Sequence, residues 1–257
     1  MSNFVQAIWV EFLKARRSRM PLLTALGFAM FPLGGGFFMV ILKDPEFARR
    51  AGLISAKAQL TMGSADWKTY FEFLTVGTSI GGILLFTLIG SWVFGREYSD
   101  RTVKDLLALP TSRAAIVLAK YVVFAVWSAA LGAMIFPIAL VVGALVGLPQ
   151  VPAPVIFSGG ATLAITALLA IAVVTPIIFF ASAGHGYLPP VGVMILAVAL
   201  AQVTAIIGYG EFFPWAIPGL YAQHENLGAV SYVIVLLTCV AGVTGTLLWW
   251  ELADQTH

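Results

Sequence analysis

The sequence predicts an all-helical integral membrane protein, in which a surface helix at the N-terminus precedes six transmembrane helices. Of the 257 residues, 60% are hydrophobic and only 10% are charged, and the mean hydropathy is +0.95. Soluble domains carry about 25% charged residues. The hydrophobic residues fall into long, continuous runs. This composition excludes a disordered region and a disulfide scaffold. It also excludes nucleic acid as a partner, because a basic binding face would raise the net charge well above +2.

Six apolar runs are long enough to cross a bilayer as helices. A transmembrane helix needs about 20 apolar residues to match a hydrocarbon core of about 30 Å. Strands of a transmembrane barrel would instead alternate over segments of about ten residues. We therefore predict a single transmembrane domain over residues 1–257, with spans at 20–42, 73–94, 114–146, 160–182, 188–208 and 228–250.

Residues 1–19 have the pattern of an amphipathic helix. One half of the helical wheel is apolar and the other half is polar, with Gln6, Glu11, Lys14 and Arg17 on the polar half and Phe4, Val5, Ile8, Trp9, Phe12 and Leu13 on the apolar half. Such a helix lies in the membrane surface with its aromatic face in the headgroup region. The alternative is a simple basic flank before the first span.

The distribution of basic residues predicts the orientation. The side that carries residues 1–19 and 95–113 has nine Lys and Arg residues, including Lys120, and the opposite side has five. Basic residues favour the cytoplasmic side. The N-terminus is therefore predicted to be cytoplasmic, and six spans return the C-terminus to the same side of the cell membrane.

Ionisable residues are scarce within the predicted spans. Lys120 lies near the cytoplasmic end of the third span, where it is expected to extend its ammonium group to the surface. Proton-coupled carriers place carboxylates or histidines at mid-membrane depth, so this class is disfavoured. The sequence also has no G-x-x-x-x-G-K-[ST] phosphate loop. If the protein uses ATP, another chain must bind it.

Three pairs of small residues have the spacing that lets helices approach closely. They are Gly77 with Gly81, Gly143 with Gly147, and Ala241 with Gly245. Packing within the chain is the favoured interpretation, and a seam between two copies is the alternative.

Residues 95–113 form the one densely charged cytoplasmic segment, GREYSDRTVKDLLALPTSR. Thr102 and Asp105 have the spacing of a capping box, and Pro110 ends the helix that they begin. This short helix has an apolar strip of Val103, Leu106 and Leu107 among charged residues. Mixed charge favours docking into the groove of a soluble partner over lying on the bilayer.

The segment resembles the loop between the second and third spans of type-2 ABC exporter permeases. The matching residues are Phe94-Gly95-Arg96-Glu97-Tyr98, Arg101-Thr102, Leu106-Leu107, Pro110, Ser112-Arg113 and Lys120. The resemblance covers essentially the whole chain, including the N-terminal elbow helix. It implies that the loop is a coupling helix seated on a separate ABC ATPase subunit, which binds ATP and magnesium while this chain binds no cofactor. The implied coupling residues are Glu97, Tyr98, Arg101, Thr102, Leu106, Leu107, Pro110 and Arg113. A second permease, identical or paralogous, would complete the pathway.

A second unusual segment, 209–227, is rich in aromatic residues and prolines. A soluble loop would not need Phe212, Phe213 and Trp215, and Pro214 and Pro218 interrupt any helix. The family resemblance implies short re-entrant helices near an outer gate. An interfacial aromatic anchor is an equal alternative. The string FPWAIP resembles permeases of bacitracin and peptide-antibiotic export.

The loop 183–188 departs from the family pattern because it is short and uncharged, so it would make only a slight second contact with an ATPase. Its histidine, His185, is expected to be a surface residue and not a ligand.

These observations favour the permease subunit of an ATP-driven exporter. Its substrate is expected to be amphipathic or lipid-like, because the spans offer aromatic and aliphatic surface without fixed charge, and membrane lipids are expected partners. The alternative is a membrane anchor or assembly protein that transports nothing. An ion channel is disfavoured because no ring of polar residues is visible.

Overall fold

The computed structural model describes residues 3–50, 52, 64–108 and 110–252, and within these ranges it is helical without strands. Within the described residues, six helices are long and apolar enough to cross a membrane, which confirms the predicted six-span, all-helical class. We call them span 1 (Met20–Lys43), span 2 (Trp67–Ser99), span 3 (Arg113–Val146), span 4 (Ala153–Ala183), span 5 (Leu188–Ile206) and span 6 (Ala229–Leu252).

Two helices extend well beyond the apolar runs from which their spans were predicted. Span 2 begins at Trp67, where the Asp66 carboxylate accepts a hydrogen bond from the Thr69 amide at 2.8 Å, and it continues through residues 95–99. Span 4 begins directly after Pro152. Capping groups decide where a helix begins, whereas hydropathy reports only the part within the hydrocarbon. The predicted loop 95–113 is therefore helical at its start.

The N-terminal helix (Asn3–Arg16) packs mainly against span 3. A break at residues 17–19 separates it from span 1. Trp9 on the predicted apolar half is 61% exposed, whereas Glu11 on the predicted polar half is buried. The helix therefore turns part of its polar half toward the protein and part of its aromatic half outward.

Span 4 is the central helix and contacts spans 2, 3, 5 and 6. Gly242 of span 6 lies so close to span 4 that a Cβ atom there would come within 2.4 Å of the Pro176 nitrogen. The Tyr121 hydroxyl of span 3 is 2.8 Å from Thr246 Oγ1 and 3.3 Å from the Thr175 carbonyl oxygen. This hydroxyl therefore joins spans 3, 4 and 6.

The small-residue pairs have different surroundings. A Cβ atom at Gly81 would meet the Phe31 ring of span 1 at 2.7 Å, and one at Gly143 would meet the Trp67 ring at 2.4 Å. These glycines serve packing within the chain. Gly245 has no atom within 4 Å of its Cβ position among the described residues, and Ala241 is exposed, so this pair lies on an open face.

Short helices occupy both ends of the bundle. At one end, which we call the loop-helix end, lie the loop helix (Val103–Leu107), the N-terminal helix and residues 183–188. At the other, the aromatic end, a short helix (Pro45–Arg50) follows span 1, and segment 209–227 forms a 3-10 turn (Gly210–Phe212) and a helix (Ile217–Ala222). Lys43 joins spans 1 and 3 there by donating to the Val146 carbonyl at 2.6 Å.

Candidate coupling site

Four charged side chains meet beneath the loop helix. The Lys120 ammonium lies 2.8 Å from Glu97 Oε1 and 3.2 Å from Glu11 Oε2. The Lys14 ammonium lies 2.6 Å from Glu11 Oε1 and 2.9 Å from the same Glu97 oxygen. We call these residues the charge cluster. Two cations balance two anions, and the cluster ties together the N-terminal helix, span 2 and span 3.

The charge cluster is largely removed from solvent. Lys120 is fully buried, Glu97 is 4% exposed and Glu11 is 6% exposed. The Lys120 ammonium also donates to the Val93 carbonyl at 2.9 Å. The expectation that Lys120 extends to the surface was therefore wrong, because two carboxylates from other helices reach it where it lies. A buried charge of this kind is tolerated only with such partners.

Lys14 has the least buried side chain of the cluster, at 25% exposure. Burial alone would lower the pKa of Lys14, but the carboxylates of Glu11 and Glu97 outweigh that effect and raise the pKa above its ordinary value. Lys14 therefore remains an ammonium group at neutral pH, and the cluster keeps its balance of charge.

Span 2 ends in a turn that leads from the charge cluster to the loop helix. The Thr102 amide donates to the Glu97 carbonyl at 2.9 Å, and the Arg101 amide donates to the Tyr98 carbonyl at 3.2 Å. Arg101 has a φ of 59°. This is the Schellman pattern, in which the left-handed position usually holds glycine. The turn therefore connects the Glu97 backbone to the exposed Arg101 and Thr102.

The loop helix turns its apolar side into this chain. Val103 is buried and Leu106 is half-buried against the core, whereas Lys104 and Asp105 are exposed. A cavity of about 260 Å³ between this helix and the N-terminal helix is lined by both Leu106 and Pro110. The side chain of Leu107 lies outside the described residues. The described surface of the loop helix that is open to a partner is thus polar.

Three further predicted coupling residues, Glu97, Tyr98 and Arg113, use their side chains for contacts within the chain. Glu97 belongs to the charge cluster, and the Tyr98 ring packs edge-on against His185 at 5.1 Å between ring centroids. Arg113 donates from Nη1 to the Trp250 carbonyl at 3.0 Å, which caps the end of span 6. His185 is exposed on the loop 183–188. The side chains of Glu97, Tyr98 and Arg113 are thus engaged within the chain, just before and after the loop helix in sequence, and any contact between Glu97 and a partner would be indirect.

Sequence reasoning did not identify Glu11, Lys14 and Lys120 as one cluster. The sequence feature that pointed to the cluster was Lys120 itself, because a lysine within an apolar run must either pair with a buried carboxylate or extend its ammonium group to water. Choosing between these outcomes requires knowing that a residue 109 positions away is adjacent. Within the described residues, no group of three or more His, Cys, Asp or Glu could hold a metal ion.

At the aromatic end, Trp215 anchors segment 209–227 to the centre of the bundle. Its indole Nε1 donates to the Val173 carbonyl of span 4 at 2.8 Å, and its ring packs on Phe213 with a centroid distance of 5.3 Å. Phe213 and Pro214 are half-buried, Pro218 is buried and Phe212 is 54% exposed. Trp215, Pro218 and their neighbours thus form a packed cap, with Phe212 on its open side.

Span 2 connects the two ends. Its residues Thr78–Gly82 form a π-helical turn, which packs against the helix Ile217–Ala222. Local π-helix is a feature often found at functional sites. The same span carries Glu97 at its other end, so one continuous helical element contacts both the aromatic segment and the charge cluster.

Two sequence comparisons relate this chain to known proteins. Residues 7–202, well over half of the chain, match the family described as ABC-2 family transporter protein. The chain is also similar to the bacitracin transport permease protein BCRB of Bacillus licheniformis, with 26% identity over 180 residues that cover 67% of this chain and 85% of that protein. The family match includes the loop helix and all four residues of the charge cluster. It confirms the resemblance carried by residues 94–120. The chain therefore belongs to the ABC-2 transporter family, as a multi-pass membrane permease.

Proposed function

We propose that this permease is the membrane-spanning subunit of an ATP-driven exporter and that a separate ABC ATPase subunit hydrolyses ATP. The observation that carries the proposal is the position of the loop helix. The polar face of the loop helix is exposed. A single turn connects the start of this helix to Glu97 of the charge cluster, which joins three helices. The family membership supports an ATPase partner, because the chain itself has no phosphate loop.

In this proposal, the ATPase contacts the exposed Arg101, Thr102, Lys104 and Asp105, and closure of the ATPase subunits displaces the loop helix. Four ion pairs beneath that helix resist local deformation, so the displacement reaches span 2 and span 3 as a joint movement. Glu97, Tyr98 and Arg113 act by holding the loop helix. Leu106 and Pro110 shape the cavity beside the N-terminal helix.

The aromatic segment is the proposed outer gate. Phe212, Phe213, Pro214, Trp215 and Pro218 lie at the end of the bundle opposite the loop helix. The segment rests on the π-helical turn of span 2, so movement of span 2 would reach it directly. This placement supports a gate more than a passive anchor.

The substrate is proposed to be amphipathic or lipid-like, with a peptide antibiotic as the first candidate because of the relative's name. Spans 5 and 6 expose aliphatic residues such as Leu196, Leu200, Leu236 and Leu237. A second permease, identical or paralogous, would face this one across the pathway.

Both termini are proposed to lie on the cytoplasmic side of the cell membrane, with Trp9 and Phe12 of the N-terminal helix in the headgroup region.

Charge reversal on the loop helix tests the coupling. The variant Arg101→Glu with Lys104→Glu changes two exposed side chains, so we expect the fold to persist. ATPase co-purification and ATP hydrolysis by the reconstituted complex should fall about tenfold or more, because reversing two charges removes the electrostatic complementarity of the contact. The matched control, Arg49→Glu with Arg50→Glu, makes the same charge change at the aromatic end and should behave as wild type. Unchanged complex formation and hydrolysis in the loop-helix variant would refute the assignment.

A further inference from the structure

A cavity with basic walls lies where the N-terminal helix turns into span 1. Its volume is about 320 Å³, and its lining consists of Val10, Leu13, Lys14, Arg17, Ser18 and Arg96. Span 1 begins two residues after Ser18, and its first turns expose Leu22, Leu23 and Leu26. A surface suited to lipid hydrocarbon thus begins close to the basic lining.

The cations of this cavity are only partly neutralised. Arg96 pairs with Asp100 at 3.2 Å while its guanidinium lies 5.2 Å from the centre of the Trp92 ring. Arg17 is exposed, and its side chain has no ion pair or hydrogen bond among the described residues. Three basic residues, Lys14, Arg17 and Arg96, line the cavity, and Lys120 joins Lys14 through the charge cluster. These four cations face the three carboxylates of Glu11, Glu97 and Asp100.

We propose that this cavity binds the phosphate headgroup of an anionic phospholipid. Arg17 and Arg96 would donate to the phosphate oxygens, since guanidinium groups match phosphate in a two-pronged geometry. The acyl chains would lie along the exposed leucines of span 1. Basic pockets beside transmembrane helices attract anionic headgroups.

The surroundings favour a lipid over an acidic protein surface. Val10 and Leu13 contribute apolar lining to the cavity, and Trp9 beside them is exposed on the same helix. A mixed apolar and cationic lining matches a molecule with a charged head and a hydrocarbon body. This inference is independent of the proposed transport function, because a permease that moved no substrate would bind the lipid equally.

Native mass spectrometry of the full-length protein tests the proposal. The protein is equilibrated with palmitoyl-oleoyl phosphatidylglycerol or with the corresponding phosphatidylcholine, and the retained lipid is counted. In Arg17→Gln with Arg96→Gln, the affinity for phosphatidylglycerol, measured from retention over a range of lipid concentrations, should fall about 25-fold, since each lost cation costs about fivefold in affinity. Phosphatidylcholine retention should not change. The control Arg49→Gln with Arg50→Gln removes the same charge at the aromatic end and should retain phosphatidylglycerol as wild type does.

Each remaining outcome decides the question. Equal losses in the test and control variants would show general electrostatic attraction and overturn the site, as would undiminished retention in the test variant. Binding of inorganic phosphate as tightly as phosphatidylglycerol would overturn the lipid assignment in favour of a free anion, because the hydrocarbon body would then contribute nothing. Arg17→Lys with Arg96→Lys should restore most of the retention, which excludes misfolding as the cause of a loss.

Discussion

The two ends of the membrane domain are organised by different interactions. At the loop-helix end, four ion pairs of 2.6 to 3.2 Å are buried between three helices. At the aromatic end, segment 209–227 rests on ring packing and on one indole hydrogen bond from Trp215. Buried ion pairs offset the cost of desolvation only in a well-defined geometry, whereas the burial of apolar surface is non-directional. In the proposed mechanism, this difference would make the loop-helix end the rigid part that receives the movement and segment 209–227 the deformable part.

The largest expected effect is the loss of one member of the charge cluster. Lys120→Met leaves two buried carboxylates with a single ammonium group, so the unfolding free energy should fall by about 3–5 kcal/mol. Adding Glu11→Gln leaves the balanced pair of Lys14 and Glu97 and should recover most of that loss. Unfolding of the detergent-solubilised protein measures both variants. A single variant within about 0.5 kcal/mol of wild type would remove the contrast between the two ends.

A smaller effect is expected at the aromatic end. Trp215→Phe keeps an aromatic ring but removes the donor to the Val173 carbonyl, so the unfolding free energy should fall by about 1 kcal/mol. Transport should change more than stability does, because the segment is the proposed gate. If substrate efflux falls in Trp215→Phe while ATP hydrolysis persists, the aromatic end acts in transport separately from the loop-helix end. A loss of stability as large as that of Lys120→Met would show that this end is equally rigid.

The smallest effect, a gain in stability, is expected at the turn that connects the end of span 2 to the start of the loop helix. Arg101 has a left-handed backbone, so Arg101→Gly should raise the unfolding free energy by up to about 1 kcal/mol. Arg101→Ala removes the same charge without relieving the backbone and should bring no gain. Both variants should weaken ATPase binding equally if the guanidinium makes the contact. A stability gain with alanine would contradict the role of backbone conformation.

Much of the architecture was predictable because it depends on local properties. Apolar run length predicted six helices, since hydrocarbon thickness sets that length. The Leu pair, the spacing of Thr102 and Asp105, and Pro110 predicted a helix between spans 2 and 3, and the structure has one at Val103–Leu107, although the Thr102 side chain does not form the predicted capping hydrogen bond. The family match confirms the resemblance that residues 94–120 carried. The helices of spans 2 and 4 begin at Trp67 and Ala153, before the predicted apolar runs, and at the first of them the Asp66 carboxylate caps the helix.

The charge cluster could not be predicted from local sequence features. By itself, the sequence determined that this chain crosses a membrane and that residues 95–113 are the one densely charged segment on the predicted cytoplasmic side. Only the tertiary structure decided that Lys120 is buried and that Glu97 faces inward. Glu11 and Lys120 are 109 residues apart, and whether a charge seeks water or a partner depends on what packs beside it. Burial and pairing are properties of the assembled helices, because desolvation and attraction act through space and not along the chain.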